Sequence, residues 1–205
     1  MFRIVGAVAA VLVTSTITAG PAFAVDNSVI TMSDHAEQQG IDGFGIATAF
    51  DRVELLRGLS PEQQNEIFSL WFDRTNGAGL SILRLGIGSS PIGSPYDKMI
   101  SIEPNDPGGP DAPPQYVWNG DDNGQVWVAR VAQAYGVRRF YADAWSAPSY
   151  MKTNGDENNG GMVKPEWEAA YARYLVQYTK FYAQEGVRIT DLGSRSIRVR
   201  PLLVV

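Results

Sequence analysis

Apolar runs of strand length alternate with amphipathic helical stretches along most of the chain. Four runs are predicted as strands of one sheet: 41–47, 80–87, 137–142 and 187–192. A further run at 28–32 is separated from them by a polar stretch and is predicted to belong to a side sheet. Strands that alternate with helices are typical of a parallel sheet covered by helices, so the pattern predicts an α/β fold.

The first long helix between these strands has a clear start signal. Ser60 is predicted as its N-cap, Pro61 as its first residue, and Gln63 stands in the capping-box position. Gly77 or Gly79 is expected to end it. Its predicted apolar face consists of Ile67, Leu70 and Trp71.

A second helix is predicted over 125–135, and the longest runs from Pro165 to Gly186. Six large side chains recur on the longest helix at spacings of three and four, which places them on one stripe. We expect this stripe to pack against the sheet. It consists of Trp167, Tyr171, Tyr174, Leu175, Tyr178 and Tyr182.

Long polar connections leave the predicted strands at their carboxyl ends, whereas the links from helix to strand are short. Ligands of parallel α/β proteins bind beyond the carboxyl ends of the strands. Long irregular connections in compact domains are also more often functional than idle. We therefore expect the chemistry in four places: 50–54, 88–116, 143–162 and the residues after 192.

Composition removes several classes of function. The net charge of -5 disfavours a nucleic-acid partner, because such proteins neutralise many phosphates. The sequence contains no Cys and a single histidine, His35, so a Ser-His-Asp triad or an imidazole-rich zinc site is not expected. The glycine-rich run 43–48 lacks the third glycine of a dinucleotide fingerprint. We predict no metal and no cofactor.

The amino terminus has the pattern of a secretory signal. Arg3 precedes an apolar run at 4–13, and Ala22 and Ala24 form a small-x-small cleavage site. A membrane anchor is disfavoured, because the apolar run is well short of the ~20 residues that span a bilayer. We expect residues 1–24 to be removed and the protein to be secreted, without membrane contact.

Carboxylates, amides and aromatic rings remain, and these are the side chains of carbohydrate sites. Trp145 is the most suggestive ring, because Pro148 and nearby glycines favour a loop rather than a helix. Its ring either stacks on a sugar or packs within the loop.

Four motifs together resemble glycoside hydrolase family 30, and most closely its fungal endo-xylanase and endo-β-1,6-galactanase-like branch. They are GFGIATAF at 43–50, SILRLGIGSSP at 81–91, ADAWSAPSYMKTNG at 142–155 and RITDLG at 188–193. The resemblance implies a (β/α)8 TIM barrel with a β-rich side domain. The chain would supply a short N-terminal strand of that side domain and linker at 25–40, the N-terminal half of the barrel, about four βα units, at 41–193, and an aberrant tail at 194–205.

The resemblance also implies a retaining mechanism with two glutamates about 5 to 5.5 Å apart. In the family one glutamate follows the fourth strand in an Asn-Glu-Pro motif, and the other follows the seventh strand. This sequence has SRSIRVRPLLVV at 194–205 and no Asp or Glu after Asp191. We therefore expect the chain to be truncated before both positions, without catalytic residues. We do not expect another carboxylate to take over the catalytic role; the candidates would be Asp51, Glu54, Asp143 and Asp191.

Five residues are predicted to bind substrate, and most follow from the same resemblance. Arg84 corresponds to the arginine that holds the nucleophile, although an ion pair with any buried acid is the alternative. Trp145 matches the ring that lines the sugar subsite, and Lys152 and Asn154 share its loop. Arg52 is a weaker candidate, for an acidic sugar.

The sequence thus predicts a secreted glycoside hydrolase of the retaining, endo-acting type, with xylan, glucuronoxylan or β-1,6-galactan as substrate and no activity in this chain. An active endo-glycosidase is one alternative. A non-catalytic carbohydrate-binding or interaction protein that uses Trp145 is another. Open edges of the half barrel would favour self-association or aggregation.

Overall fold

The computed structural model describes residues 40–49, 52–94 and 99–194. In these residues four parallel strands form one open sheet in the order β1-β2-β3-β4, with helices in the connections. The predicted α/β fold of a partial barrel is confirmed, with four parallel strands and helices in the three connections between them. The elements are β1 (Gly45–Ala47), α1 (Arg52–Arg57), α2 (Pro61–Phe72), β2 (Ile82–Ile87), α3 (Gln125–Ala134), β3 (Arg139–Ala144), α4 (Glu168–Gln184) and β4 (Asp191–Ser194).

Three sequence predictions fall on residues outside those ranges. They are the strand at 28–32, the signal segment 1–24 and most of the tail at 194–205. The remaining strands all form, but β1, β2, β3 and β4 begin two to four residues later than predicted. Because β3 extends to Ala144, Asp143 lies within a strand rather than in the loop after it.

One face of the sheet packs against the helices. Alternate residues of the two central strands point to this face and are buried: Leu83, Leu85, Ile87, Phe140, Ala142 and Ala144. All six members of the predicted stripe on the last helix and its preceding turn are buried as well. This alternation on the strands leaves the opposite face to polar residues.

The helix α2 confirms one local prediction and corrects two others. The Ser60 hydroxyl accepts a bond from the Gln63 main-chain nitrogen, and the Gln63 side chain accepts one from Ser60. The helix ends at Phe72, before the predicted glycines. Leu70 was predicted to face the core but is 54% exposed. Phe68 and Phe72, one turn apart, are buried instead.

The sequence pattern missed α1, which is only six residues long. Val53 is its buried residue, and Leu55 is 66% exposed. Such a short helix carries too few apolar positions for a helical period to stand out.

A buried carboxylate connects α3, α4 and the end of β2. The Oδ2 atom of Asp122 accepts hydrogen bonds from the Tyr178 hydroxyl at 2.6 Å, the Tyr182 hydroxyl at 2.6 Å and the Gln125 amide at 2.9 Å. The Gln125 amide also bonds the main-chain nitrogen and oxygen of Gly86, at 2.8 and 2.9 Å. Gln125 therefore continues the hydrogen-bonding of β2 where β1 has ended.

Burial raises the pKa of Asp122 from 3.8 to about 6, although the three donors oppose the shift. The folded chain thus binds this proton more tightly than the unfolded chain. The corresponding stability is present below about pH 4 and is lost as the pH rises through about 6.

We predict opposite behaviour for two substitutions of Asp122. Asp122→Ala removes the shared acceptor of three buried donors, of which the Tyr182 hydroxyl has no other described acceptor whereas the Tyr178 hydroxyl keeps the Gly86 carbonyl, and it should lower the free energy of unfolding by about 2 kcal/mol. Asp122→Asn keeps an acceptor but cannot ionise. The difference in free energy of unfolding between Asp122→Asn and the parent should therefore change by about 2 to 3 kcal/mol in favour of the variant between pH 4 and pH 7. Urea unfolding at the two pH values measures both effects, and a pH-independent difference for Asp122→Asn would contradict the assignment.

Candidate functional site

The face of the sheet that points away from the helices carries polar residues at alternate positions. Arg84 lies on β2 opposite Tyr141 of β3, and Asp143 lies opposite Gly86 and Gly193. The Arg84 guanidinium donates to the Asp143 carboxylate at 2.5 Å. The side chain of Asp143 is 7% exposed and that of Arg84 is 24% exposed. The sequence-based alternative of an ion pair between Arg84 and a buried acid is therefore what the structure contains.

Trp145 follows the last residue of β3 and is 41% exposed. The guanidinium carbon of Arg84 lies 4.9 Å from the centre of the Trp145 ring, which is a cation–π contact. The carboxylate, the guanidinium and the indole thus contact one another in a row, with Asp143 and Trp145 at the carboxyl end of β3 and Arg84 reaching them from the middle of β2. We name Asp143, Arg84 and Trp145 the strand-end triad. It lies in the region where ligands of parallel α/β proteins bind.

The glycine at the neighbouring position of β4 is required by this arrangement. A Cβ atom on Gly193 would lie 3.0 Å from a carboxylate oxygen of Asp143 and closer still to the Tyr141 hydroxyl. A side chain at this position would therefore have to displace the Tyr141 hydroxyl and would crowd the acid that holds Arg84.

The loop after Trp145 is held by two of the predicted substrate-binding residues. Lys152 is 2% exposed, and its amine donates to the Ser146 hydroxyl at 2.8 Å and to the Asn158 carbonyl at 3.4 Å. Burial lowers the pKa of Lys152. The Asn154 amide donates to the carbonyls of Asn158 and Gly160, at 3.0 and 3.2 Å. Both side chains fix the loop from within, and their contact with a sugar stays a prediction.

Arg52, the fifth predicted residue, is exposed at the start of α1, in the connection that leaves β1. The structure therefore places it in a different connection from Trp145, after β1, which in the described sheet pairs with β2 and not with β3. Its contact with an acidic sugar also stays a prediction.

Four carboxylates are candidates to replace the missing catalytic glutamates. Each of the three that the structure describes forms an ion pair with a different arginine. Asp143 pairs with Arg84, as above. Glu54 pairs with Arg57 on the outside of α1, at 3.3 Å. Asp191 pairs with Arg139. The fourth, Asp51, lies outside the described residues. The three described acids thus belong to separate ion pairs rather than to one acid–base pair.

Arg139 organises the amino end of the same face. Two of its nitrogens donate to the Asp191 carboxylate, each at 3.0 Å, and a third donates to Asp42 at 2.5 Å. The guanidinium holds the pKa of Asp191 below its ordinary value. Sequence reasoning missed this cluster. Since Asp42 precedes β1 and Asp191 begins β4, Arg139 links both edge strands across the face, and we assign it to stability.

A cleft of about 590 Å³ lies at this amino end. Its lining comprises Asp42, Gly43, Ile82, Arg139, Tyr141, Asp191 and Leu192. Among residues 40–49, 52–94 and 99–194 there is no group of three or more acidic or imidazole side chains placed to hold a metal ion. Within the same ranges no helix has the length and apolar character that crossing a membrane requires.

Comparison with known proteins gives a family and a fold. The family described as "Glycosyl hydrolase family 30 TIM-barrel domain" matches residues 41–197. The catalytic domain of GH30 xylanase C from Talaromyces cellulolyticus is 45% identical, with a TM-score of 0.70 over 76% of this chain and 36% of that chain.

Two more distant relatives agree with this result. Endo-1,6-beta-D-glucanase BGN16.3 of Trichoderma harzianum is 28% identical over 169 residues, which are 76% of this chain and 34% of that protein. SrfJ from Salmonella typhimurium shares the fold, with a TM-score of 0.58 and 22% identity over 75% of this chain and 34% of that chain. The chain spans about a third of the length of these relatives.

We predict that the two arginine–aspartate pairs differ in their contribution to stability. Asp143→Ala leaves a partly buried guanidinium without its acid and should cost about 2 kcal/mol. Asp191→Ala should cost less, because its pair with Arg139 is more exposed and is screened by water. Chemical unfolding of the two variants measures the difference, and an equal or larger loss for Asp191→Ala would contradict it.

Proposed function

The chain belongs to glycosyl hydrolase family 30, as its motifs predict, and from that premise we propose that it carries the substrate-binding end of half a polysaccharide hydrolase barrel. The whole enzyme would be a secreted, retaining, endo-acting glycosidase. We propose xylan or glucuronoxylan as its substrate, with β-1,6-linked galactan second. The 45% identity with a xylanase catalytic domain supports the first choice.

The strand-end triad is the observation that carries this proposal. A partly exposed indole at the carboxyl end of a barrel strand offers an apolar face to the C–H groups of a sugar ring. The guanidinium beside it has five N–H donors, of which the described bond to Asp143 uses one, so donors for sugar hydroxyls lie next to the ring. Ring and donors together suit a neutral sugar unit.

Residues near the triad would extend the site. We propose that Asn154 and Lys152 act mainly by shaping the loop after β3. Arg52, after the neighbouring strand β1, would meet an acidic substituent of glucuronoxylan. Residues 1–24 would direct secretion, 25–40 would form an N-terminal strand of the side domain and a linker, and 41–193 would form the partial barrel.

For the polypeptide of 205 residues itself we propose sugar binding without hydrolysis. Retaining hydrolysis needs two carboxyl groups close together with opposed protonation states. The sequence holds no Asp or Glu after Asp191, and Glu54, Asp143 and Asp191 each pair with a different arginine. This separation also favours the second candidate function, that of a non-catalytic carbohydrate-binding protein.

We predict that Trp145→Ala lowers the affinity for xylo-oligosaccharides at least tenfold, because the stacking surface is lost. Isothermal titration calorimetry with xylohexaose measures this affinity. In a separate assay, the release of reducing sugar from xylan should stay at the background rate for the parent and for the variant. Phe44→Ala is the matched control, since Phe44 is an exposed ring, 72% exposed, just before the amino end of β1. Equal losses for both variants would refute the proposed site, and hydrolysis by the parent would refute the proposed inactivity.

We also predict self-association of this polypeptide. In the described sheet β1 and β4 each pair with one neighbour only, and unpaired strand edges add further strands. Leu192→Lys on β4 should shift sedimentation toward the monomer, because a charge at the edge opposes pairing. Val176→Lys is the control, since Val176 has a similar exposure, 49% against 45%, but lies on α4. A monomeric, cooperatively melting parent would contradict the prediction.

A further inference from the structure

Asp143 is connected to the exposed ring of the candidate sugar site by way of Arg84. Its carboxylate is nearly buried, whereas the ring of Trp145 is 41% exposed, and Arg84 lies between the two. The carboxylate bonds one nitrogen of the guanidinium, and the guanidinium carbon lies 4.9 Å from the ring centre. The exposed ring is thus joined to the interior of the sheet by a chain of two contacts.

The orientation of Arg84 depends on Asp143. A guanidinium is planar, and a charge-assisted bond to a carboxylate restricts both its position and its plane. Without the carboxylate the Arg84 side chain regains several rotamers, and the cation–π contact then competes with hydration of the free guanidinium. Nothing else that the structure describes bonds the Arg84 guanidinium within the sheet.

The main chain at Asp143 is paired with a strand on each side. It lies within β3, paired in register with Gly86 on one side and Gly193 on the other. Both neighbours are glycines whose added Cβ would clash with a surrounding side chain. The main chain of Asp143 is therefore held on both sides, while Trp145 stands on the loop that begins where the strand ends.

We propose that Asp143 is a positioning residue for the sugar-binding ring: it holds the Arg84 guanidinium against Trp145 and so presents the indole in one orientation to a glycosyl unit. The role in binding rests on the proposed function, whereas the link from Asp143 through Arg84 to Trp145 does not. A preorganised ring loses less side-chain entropy on binding than a mobile one, so the link raises affinity without a contact between Asp143 and sugar.

The link is tested first on the chain without sugar. Protons of Arg84 next to the indole should have NMR resonances shifted upfield by the ring current. Asp143→Asn keeps the shape of the side chain but replaces the carboxylate of the ion pair by a neutral amide, and it should move these resonances at least halfway toward the values in Trp145→Leu. Asp191→Asn, which loosens the other arginine pair on this face, should leave them unchanged. Unchanged Arg84 resonances in Asp143→Asn would overturn the proposal.

Xylohexaose binding then tests the consequence. Asp143→Asn and Arg84→Lys should each weaken binding about three- to tenfold, and the double variant no more than Arg84→Lys alone, because without the guanidinium Asp143 has no link to the ring. Lysine keeps the charge but cannot offer a planar face to the ring. Arg84→Lys therefore also serves if Asp143→Asn fails to fold. Multiplying losses in the double variant would overturn the coupling.

The two proposals fail in different ways. If the parent does not bind xylohexaose but the ring-current shift of the Arg84 protons is lost in Asp143→Asn, the proposed function fails and the positioning role stands. If the parent binds xylohexaose but the Arg84 resonances are the same in the parent and in Asp143→Asn, only the positioning role fails.

Discussion

One carboxylate oxygen, Oδ2 of Asp122, joins the start of α3 to the buried face of α4. It accepts from two tyrosine hydroxyls of α4 and from the Gln125 amide, which in turn bonds the main chain of Gly86. A carboxylate taken out of water is costly unless such donors surround it. Because Gly86 lies two residues beyond Arg84 on β2, this network holds the strand end on which the candidate site is built.

One face of the sheet forms the apolar core and the other carries the candidate site. The strand register determines which side chains lie on each face. Leu83 and Leu85 pack under the helices, so Arg84 between them must point to the opposite face. A slip of one residue would exchange the two sets of side chains. The apolar core that makes the fold stable therefore also fixes where Arg84 meets Asp143, and hence where Trp145 stands.

The sequence predicts those features that depend on local spacing. The capping box of Ser60 and Gln63 and the stripe on the last helix lie within a few turns of chain, and both form as predicted. The pairing of Arg84 with Asp143 joins residues 59 positions apart, so the sequence indicates only that Arg84 needs an acid. The role of Asp122 is hidden for the same reason. The local signal in the sequence is the Asp-Asn-Gly run at 122–124, residue types that tolerate positive φ, and all three residues adopt positive φ in the turn before α3.

A sugar unit that stacks on Trp145 would change the surroundings of that indole alone. The chain has five tryptophans, and each contributes one indole N–H resonance to a ¹⁵N correlation spectrum. On titration with xylohexaose we expect a saturable shift of the Trp145 resonance and little change in the other four, which lie in the core or beside it: Trp71, Trp118, Trp127 and Trp167. A saturable shift of another indole with Trp145 unchanged, or no shift at all, would contradict this expectation.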